Sequence, residues 1–180
     1  ILHMHEHPCD PPEIARIVGL YEDYLPRSLP RKQGGVLPNV MEILTSLGET
    51  GEVHSTLLTG NTRRGAAAKL GHYGLDGFFD FDLGAFSDGL PDRPSVARRA
   101  MALLRAAGHE FDPSDVIVVG DTPQDIHCAN AIGVRTLAVA TGGSLLDDPQ
   151  PSPLSAFSCA RPLAGGVSRT GARPFGSREA

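Results

Sequence analysis

A chain of 180 residues, 41% of them hydrophobic, has enough apolar material for one ordinary core, and its net charge of −5 with no basic run argues against a nucleic-acid or membrane-surface partner. Cys9, Cys128 and Cys159 are widely spaced and outside any CxxC pattern, so neither a disulfide framework nor a zinc site is indicated and a reducing cytoplasm is the expected compartment. No apolar run reaches the length of a membrane span, and no basic region followed by an apolar one opens the chain.

His3, His5 and His7 alternate, which on a strand would set three imidazoles on one face as potential metal ligands. A barrel built around such a pattern takes about 250 residues, so a frayed terminus is expected instead. Asp10, two prolines and Glu13 form a helix start, and Ile14, Ile17, Val18 and Tyr21 follow at helical spacing. This helix is expected to end before Pro26, with a linker from Pro26 to Gly35. Pro38 opens a second helix whose stripe is Val40, Ile43, Leu44 and Leu47, closed by Gly48. His54 to Leu58 reads as a strand running into Thr59-Gly60-Asn61, with Asn61 placed to cap a helix through Arg63, Ala66, Ala67 and Leu70. Phe78 to Phe81 reads as a short strand, and Asp92-Arg93-Pro94-Ser95 leads into a helix with Val96, Ala100, Leu103 and Leu104 on one face, stopped by Gly108.

The stretch that organises the chain is Val116 to Asp125. Four consecutive β-branched residues predict a strand buried on both faces, and Gly120, Thr122 and Pro123 turn it into a helix, so Asp121 stands at a strand's carboxyl end and Asp125 in a first helical turn. In α/β folds ligands bind there, and two crowded carboxylates repel unless a cation or substrate compensates. The plainer alternative is that Asp125 only completes a capping box with Thr122. Ile126 to Ile132 continues as helix to Gly133, and Thr136 to Ala140 is the last strand. Strand and helix alternate throughout, which predicts an α/β fold, a doubly wound parallel sheet with helices on both faces. From Ser144 prolines, serines, glycines and arginines are scattered without period, and residues 144–180 are expected to be a disordered tail.

Leu57-Leu58-Thr59-Gly60-Asn61, Asp92-Arg93-Pro94 and Val119-Gly120-Asp121-Thr122-Pro123-Gln124-Asp125 stand in an order that resembles the haloacid dehalogenase-like (HAD) hydrolase superfamily, especially its phosphoglycolate phosphatase-like members, from about Pro11 to Gly143. The resemblance implies a Rossmann-like core over residues 36–143 and, in residues 1–35, the remnant of a helical cap with its linker. It implies that the Thr59 hydroxyl binds the substrate phosphoryl group beside Gly60 and Asn61, that Arg93 supplies the cation usually given by lysine, and that Asp121 and Asp125 hold Mg²⁺. Hydroxyl, cation and carboxylate-bound Mg²⁺ form a coherent set for a phosphoryl group, whose oxygens need their charge neutralised. Arginine differs from lysine in offering a fork to phosphate oxygens.

What the resemblance places first, a strand ending in DxDG[TV] whose leading aspartate attacks phosphorus, precedes Thr59 nowhere in the sequence. Phe79-Asp80-Phe81-Asp82-Leu83-Gly84 has the DxDxG shape but comes later, within a segment that looks like the family's GLxxxFD; Asp80 as a permuted nucleophile is the minor reading. The expectation is a chain truncated inside the cap, its central first strand missing between those of Thr59 and Asp121, with unpaired edges facing each other. The function implied is Mg²⁺-dependent hydrolysis of a small phosphate monoester, with the isolated chain inactive. The alternatives are a 2-haloacid dehalogenase, which gives no reason for paired acids, and a non-catalytic remnant or binding module. The expected partner is a small phosphorylated substrate.

Overall fold

The computed structural model describes residues 10–139 and the backbone of strand 156–160. His3, His5 and His7, and all of the tail except that strand, lie outside the described residues. Helix α1 (Pro11–Ser28) starts where Asp10 accepts a hydrogen bond from the Glu13 N–H at 2.8 Å. It runs through Pro26 instead of ending before it. So close to the end the proline forfeits a single helical bond, and the buried Leu25 and Leu29 on either side hold the last turn down. Helix α2 (Val40–Thr50) likewise passes Gly48 and stops only at Gly51, whose φ of +61° is the left-handed conformation that ends the helix.

Strand β1 (His54–Leu58) feeds helix α3 (Arg63–His72), capped by Thr62, whose hydroxyl accepts from the Gly65 N–H at 3.1 Å. Asn61, the expected cap, is used elsewhere. Strand β2 is Asp80–Ala85, later than the expected Phe78 to Phe81, because Asp76–Phe78 closes into a 3₁₀ turn first. Helix α4 (Arg93–Ala106) is capped by Asp92, strand β3 is Val116–Gly120, helix α5 (Pro123–Ile132) ends at Gly133 with φ +68°, and strand β4 is Arg135–Ala138.

Strand β5 (Ala156–Ala160) completes a sheet of order β2-β1-β5-β3-β4. β1 pairs parallel with β2 and β3 parallel with β4, while β5 lies antiparallel to both β1 and β3, with Ser158 opposite Thr56 on one side and Val118 on the other. One expectation is corrected: the edges of β1 and β3 do not face each other unpaired, because residues 156–160 fill the slot where the first strand is missing. The physical reason is the one that made an empty slot costly: the facing edges of β1 and β3 carry unpaired N–H and C=O groups, each ladder bond worth about 1 kcal/mol net. The direction follows too. Ala156 enters opposite Leu58, at the end of the sheet where the chain leaves β4, so an antiparallel strand needs no crossover back to the other end.

Successive residues of a strand point to opposite faces, and β1 uses both. Leu57 packs with Leu44 of α2, Ala66 of α3, Phe79 and Phe86, whereas Leu58 packs with Val96, Ala97 and Ala100 of α4 and Cys128 of α5. β3 is different. Val116 and Val118 are fully buried against Met101 and Ala129, but Ile117 and Val119 are only half-buried, so among the described residues the strand expected to be covered on both faces has a helix layer on one. The run of β-branched residues reflects strand propensity as much as burial.

Candidate functional site

The carboxyl ends of β1 and β3 and the amino ends of α4 and α5 meet at one end of the sheet. Thr59 leaves β1 with its N–H bonded to the Ala85 carbonyl at 3.1 Å, and its hydroxyl oxygen accepts from both the backbone N–H and the side-chain amide of Asn61, each at 3.1 Å. The first is the local turn that threonine forms with the residue two further on. Gly60, between them, is where Arg93 of α4 lies down. A Cβ on Gly60 would stand 3.2 Å from Arg93 Nη1 and 3.3 Å from Cζ, so the guanidinium lies close against the Gly60 backbone and would have to shift by a few tenths of an ångström to admit a side chain there.

Across from Gly60 the same guanidinium faces Asp125, with Nη2 3.6 Å from Oδ1. Asp125 is completely buried. Its Oδ2 accepts from the Thr122 N–H at 3.1 Å and the Thr122 hydroxyl at 2.7 Å, so the capping role is realised with one oxygen. The other oxygen, and Arg93 Nη1, are buried without a hydrogen-bond partner among the described residues. Burial pushes the Asp125 carboxyl above its ordinary range and the Asp121 charge pushes it the same way, against the pull of Thr122 and Arg93. Asp121 is therefore near enough for its charge to register. Cys128 ties α5 to α4, its Sγ 3.5 Å from the Arg93 carbonyl, and burial raises its thiol so that it packs as an inert side chain.

The sequence profile of the haloacid dehalogenase-like hydrolases matches residues 10–139. The chain belongs to that family. It is similar to phosphoglycolate phosphatase 1 of Pseudomonas aeruginosa, 32% identical over 107 residues, which is 59% of this chain and 38% of that relative. The chain thus spans well under half the length of the curated relative. No solved structure matches it.

Within this haloacid dehalogenase-like chain the structure brings Gly60, Arg93 and Asp125 into contact, sets Thr59 and Asn61 beside them, and puts Asp121 within electrostatic reach. Asp80 stands apart. It pairs with Thr56 at the amino end of β2, the other end of the sheet, and its Oδ1 accepts from the N–H groups of Asp82 and Leu83 at 2.8 and 3.2 Å, so the permuted-nucleophile reading fails on position. Asp82 is an exposed partner of Arg63. Among the described residues no group of three or more His, Cys, Asp or Glu side chains gathers to hold a metal ion, and no helix is long and apolar enough to cross a membrane. Two residues of the site gave no sequence signal. Lys69 of α3 donates to Asn61 Oδ1 at 2.9 Å, and Tyr21 of α1 donates to the same oxygen at 3.3 Å, across forty positions of chain.

Proposed function

We propose that this end of the sheet binds the phosphoryl group of a small phosphate monoester of the phosphoglycolate type together with Mg²⁺, as part of a phosphohydrolase site. The supporting observation is that two buried atoms, Arg93 Nη1 and Asp125 Oδ1, have no hydrogen-bond partner among the described residues, although the Arg93 guanidinium faces the carboxylate at 3.6 Å. Orphaned polar atoms inside a protein cost about 1–3 kcal/mol each and mark a place where a ligand completes the bonding. A fork donor and a hydroxyl suit phosphate oxygens, and hard carboxylate oxygens on Asp121 and Asp125 suit Mg²⁺, which keeps several waters and asks few protein ligands. When bound, the ion supplies charge neutralisation on the phosphoryl oxygens. In this reading the Arg93 guanidinium, which lies against Gly60, and the Thr59 hydroxyl both donate to those oxygens. By the same reading α1 is the piece of a cap that closes over the site, and the protein works in the cytoplasm.

The paired acids favour this over a 2-haloacid dehalogenase. A second reading, a non-catalytic phosphate-binding module, draws support from β5: the central slot holds Ala156-Phe157-Ser158-Cys159-Ala160, which contains no carboxylate to act as nucleophile. Titrating the chain with inorganic phosphate, with and without Mg²⁺, tests the shared claim, and turnover of an aryl phosphate separates the two readings. Mg²⁺ is expected to tighten phosphate binding in the wild type and not in Asp121→Asn. Equal binding in both, with or without the ion, removes the metal role.

A further inference from the structure

We propose that Lys69 and Tyr21 are positioning residues for Thr59, acting through Asn61 to aim the threonine hydroxyl proton into the site; the proposal rests on the phosphoryl-binding reading above. The chain of bonds runs in one direction. Tyr21 Oη and Lys69 Nζ both donate to Asn61 Oδ1, at 3.3 and 2.9 Å, which fixes which end of the Asn61 amide is oxygen. A lysine ammonium has only donors, so the flipped amide, presenting its NH₂ to Lys69, would set donor against donor. With the oxygen held by Lys69, Nδ2 must point the other way, and it donates to Thr59 Oγ1 at 3.1 Å. The Asn61 backbone N–H donates to the same Oγ1 at 3.1 Å. A hydroxyl has two lone pairs and one proton. Both lone pairs are now occupied by N–H donors, so Thr59 can no longer accept from a neighbour and its own proton is left to donate, as an oxyanion needs.

Two further features fit this reading. Lys69 Nζ lies 6.0 Å from the centre of the Tyr21 ring, a cation–π distance that holds the ammonium on Asn61. A Cβ on Gly65 would come within 3.1 Å of Tyr21 Cε1, so α3 carries a glycine where the ring seats against it. Helix α1 is further attached to α3 by Arg64, which pairs with Glu22 at 3.0 Å and Asp23 at 3.2 Å. Seating of α1 on α3 is thereby linked to the orientation of one hydroxyl at the end of β1, and a displaced α1 would release Asn61 and let Thr59 rotate.

The test is inorganic phosphate binding by the full chain, measured for wild type, Lys69→Met, Lys69→Arg, Tyr21→Phe, Thr59→Val and the double variant Lys69→Met/Thr59→Val. Lys69→Met is expected to weaken binding about fivefold, the loss of one oriented charge-assisted bond, and Lys69→Arg to restore most of it; Tyr21→Phe should weaken binding about twofold. In the Thr59→Val background Lys69→Met should cost nothing more, because the residue it orients is gone. The Asn61 side-chain amide signals in a proton–nitrogen correlation spectrum should shift in Lys69→Met, which frees the amide oxygen, and in Thr59→Val, which removes the acceptor of Nδ2; signals unmoved by both changes would overturn the relay. An undiminished Lys69→Met effect without the threonine hydroxyl would mean that Lys69 attracts phosphate directly, and would overturn the relay while leaving the phosphoryl site intact. Lys69→Met binding as tightly as wild type would do the same. A wild type that binds no phosphate overturns the phosphoryl reading and the relay with it.

Discussion

The two halves of the sheet are built differently. In the half formed by β2 and β1, adjacent residues of β1 enter different cores: Leu57 is 5% exposed beneath α2 and α3, and Leu58 is 1% exposed beneath α4 and α5. In the half formed by β3 and β4, Val116 and Val118 are fully buried on one face while Ile117 and Val119 are only half-covered and Leu137 on β4 is 52% exposed. The half that brings Thr59 and Gly60 is clamped from both sides, and the half that brings Asp121 and Asp125 is held from one. What joins them is β5 in the middle of the sheet and α4, which contacts β2, β1 and α5. A site assembled across such a seam depends on the seam more than on either half.

Breaking the seam is therefore expected to have the largest effect. Ser158→Pro removes an N–H from the strand that pairs with both β1 and β3 and forces a ring into the middle of the ladder, at a cost of about 3 kcal/mol or more. Denaturant unfolding should show a midpoint far below that of the wild type. A midpoint equal to that of the wild type would mean that β5 contributes nothing to holding the halves together. The next effect down compares the halves directly. Leu58→Ala empties a fully enclosed position and should cost about 3 kcal/mol, whereas Ile117→Ala, on the half-open face of β3, should cost about 1 kcal/mol because water already reaches the space and the neighbours can relax. Equal costs would contradict the one-sided packing of β3.

These differences also mark what the sequence could and could not convey. Local signals were readable: Asp10 with Glu13 as a helix start, Asp92-Arg93-Pro94-Ser95 as the lead into another, Gly133 as a stop, and Val116 to Gly120 as a strand are each fixed by a few neighbouring residues, and they turned out as their chemistry requires. The juxtaposition of Arg93 with Asp125 followed from motif order. The strand 156–160 was not readable, because its five residues have no alternation and sit among prolines; its conformation is set by two unpaired edges far away in the chain. One-sided burial of β3 was hidden for a related reason, since β-branched residues favour strands whether or not a helix covers them. Asn61 was assigned to capping on its type alone, but Thr62 beside it can cap equally well and frees the amide for Thr59. Tyr21 and Lys69 carry no local mark at all. Their place in the site comes from how α1 seats on α3, which is tertiary information.

The smallest effect tests the seam at the end remote from the site. His54 opens β1 and His109 lies in the loop leading towards β3, and the two rings meet edge to face with centroids 4.6 Å apart, so an imidazole pair bridges the halves there. Burial holds the His54 pKa below its ordinary value of 6.5, the His109 charge lowers it further, and Asp80 opposes both. The sign follows from proton uptake. Below pH 6.5 the unfolded chain takes up a proton at this position that the folded chain resists, so the contribution of neutral His54 to stability is present above 6.5 and is lost as pH falls through the depressed folded value. Asp125 acts oppositely: with its carboxyl raised, the folded state binds its proton more readily and gains stability on acidification. The two are separated by comparing wild type with His54→Asn, since Asp125 contributes equally to both. The unfolding midpoint of the wild type should fall more steeply than that of His54→Asn between neutral pH and the upper edge of the carboxylate range. Parallel slopes would show that His54 resists protonation no more in the folded chain than in the unfolded one, and that the imidazole pair adds no pH-dependent stability at this end of the seam.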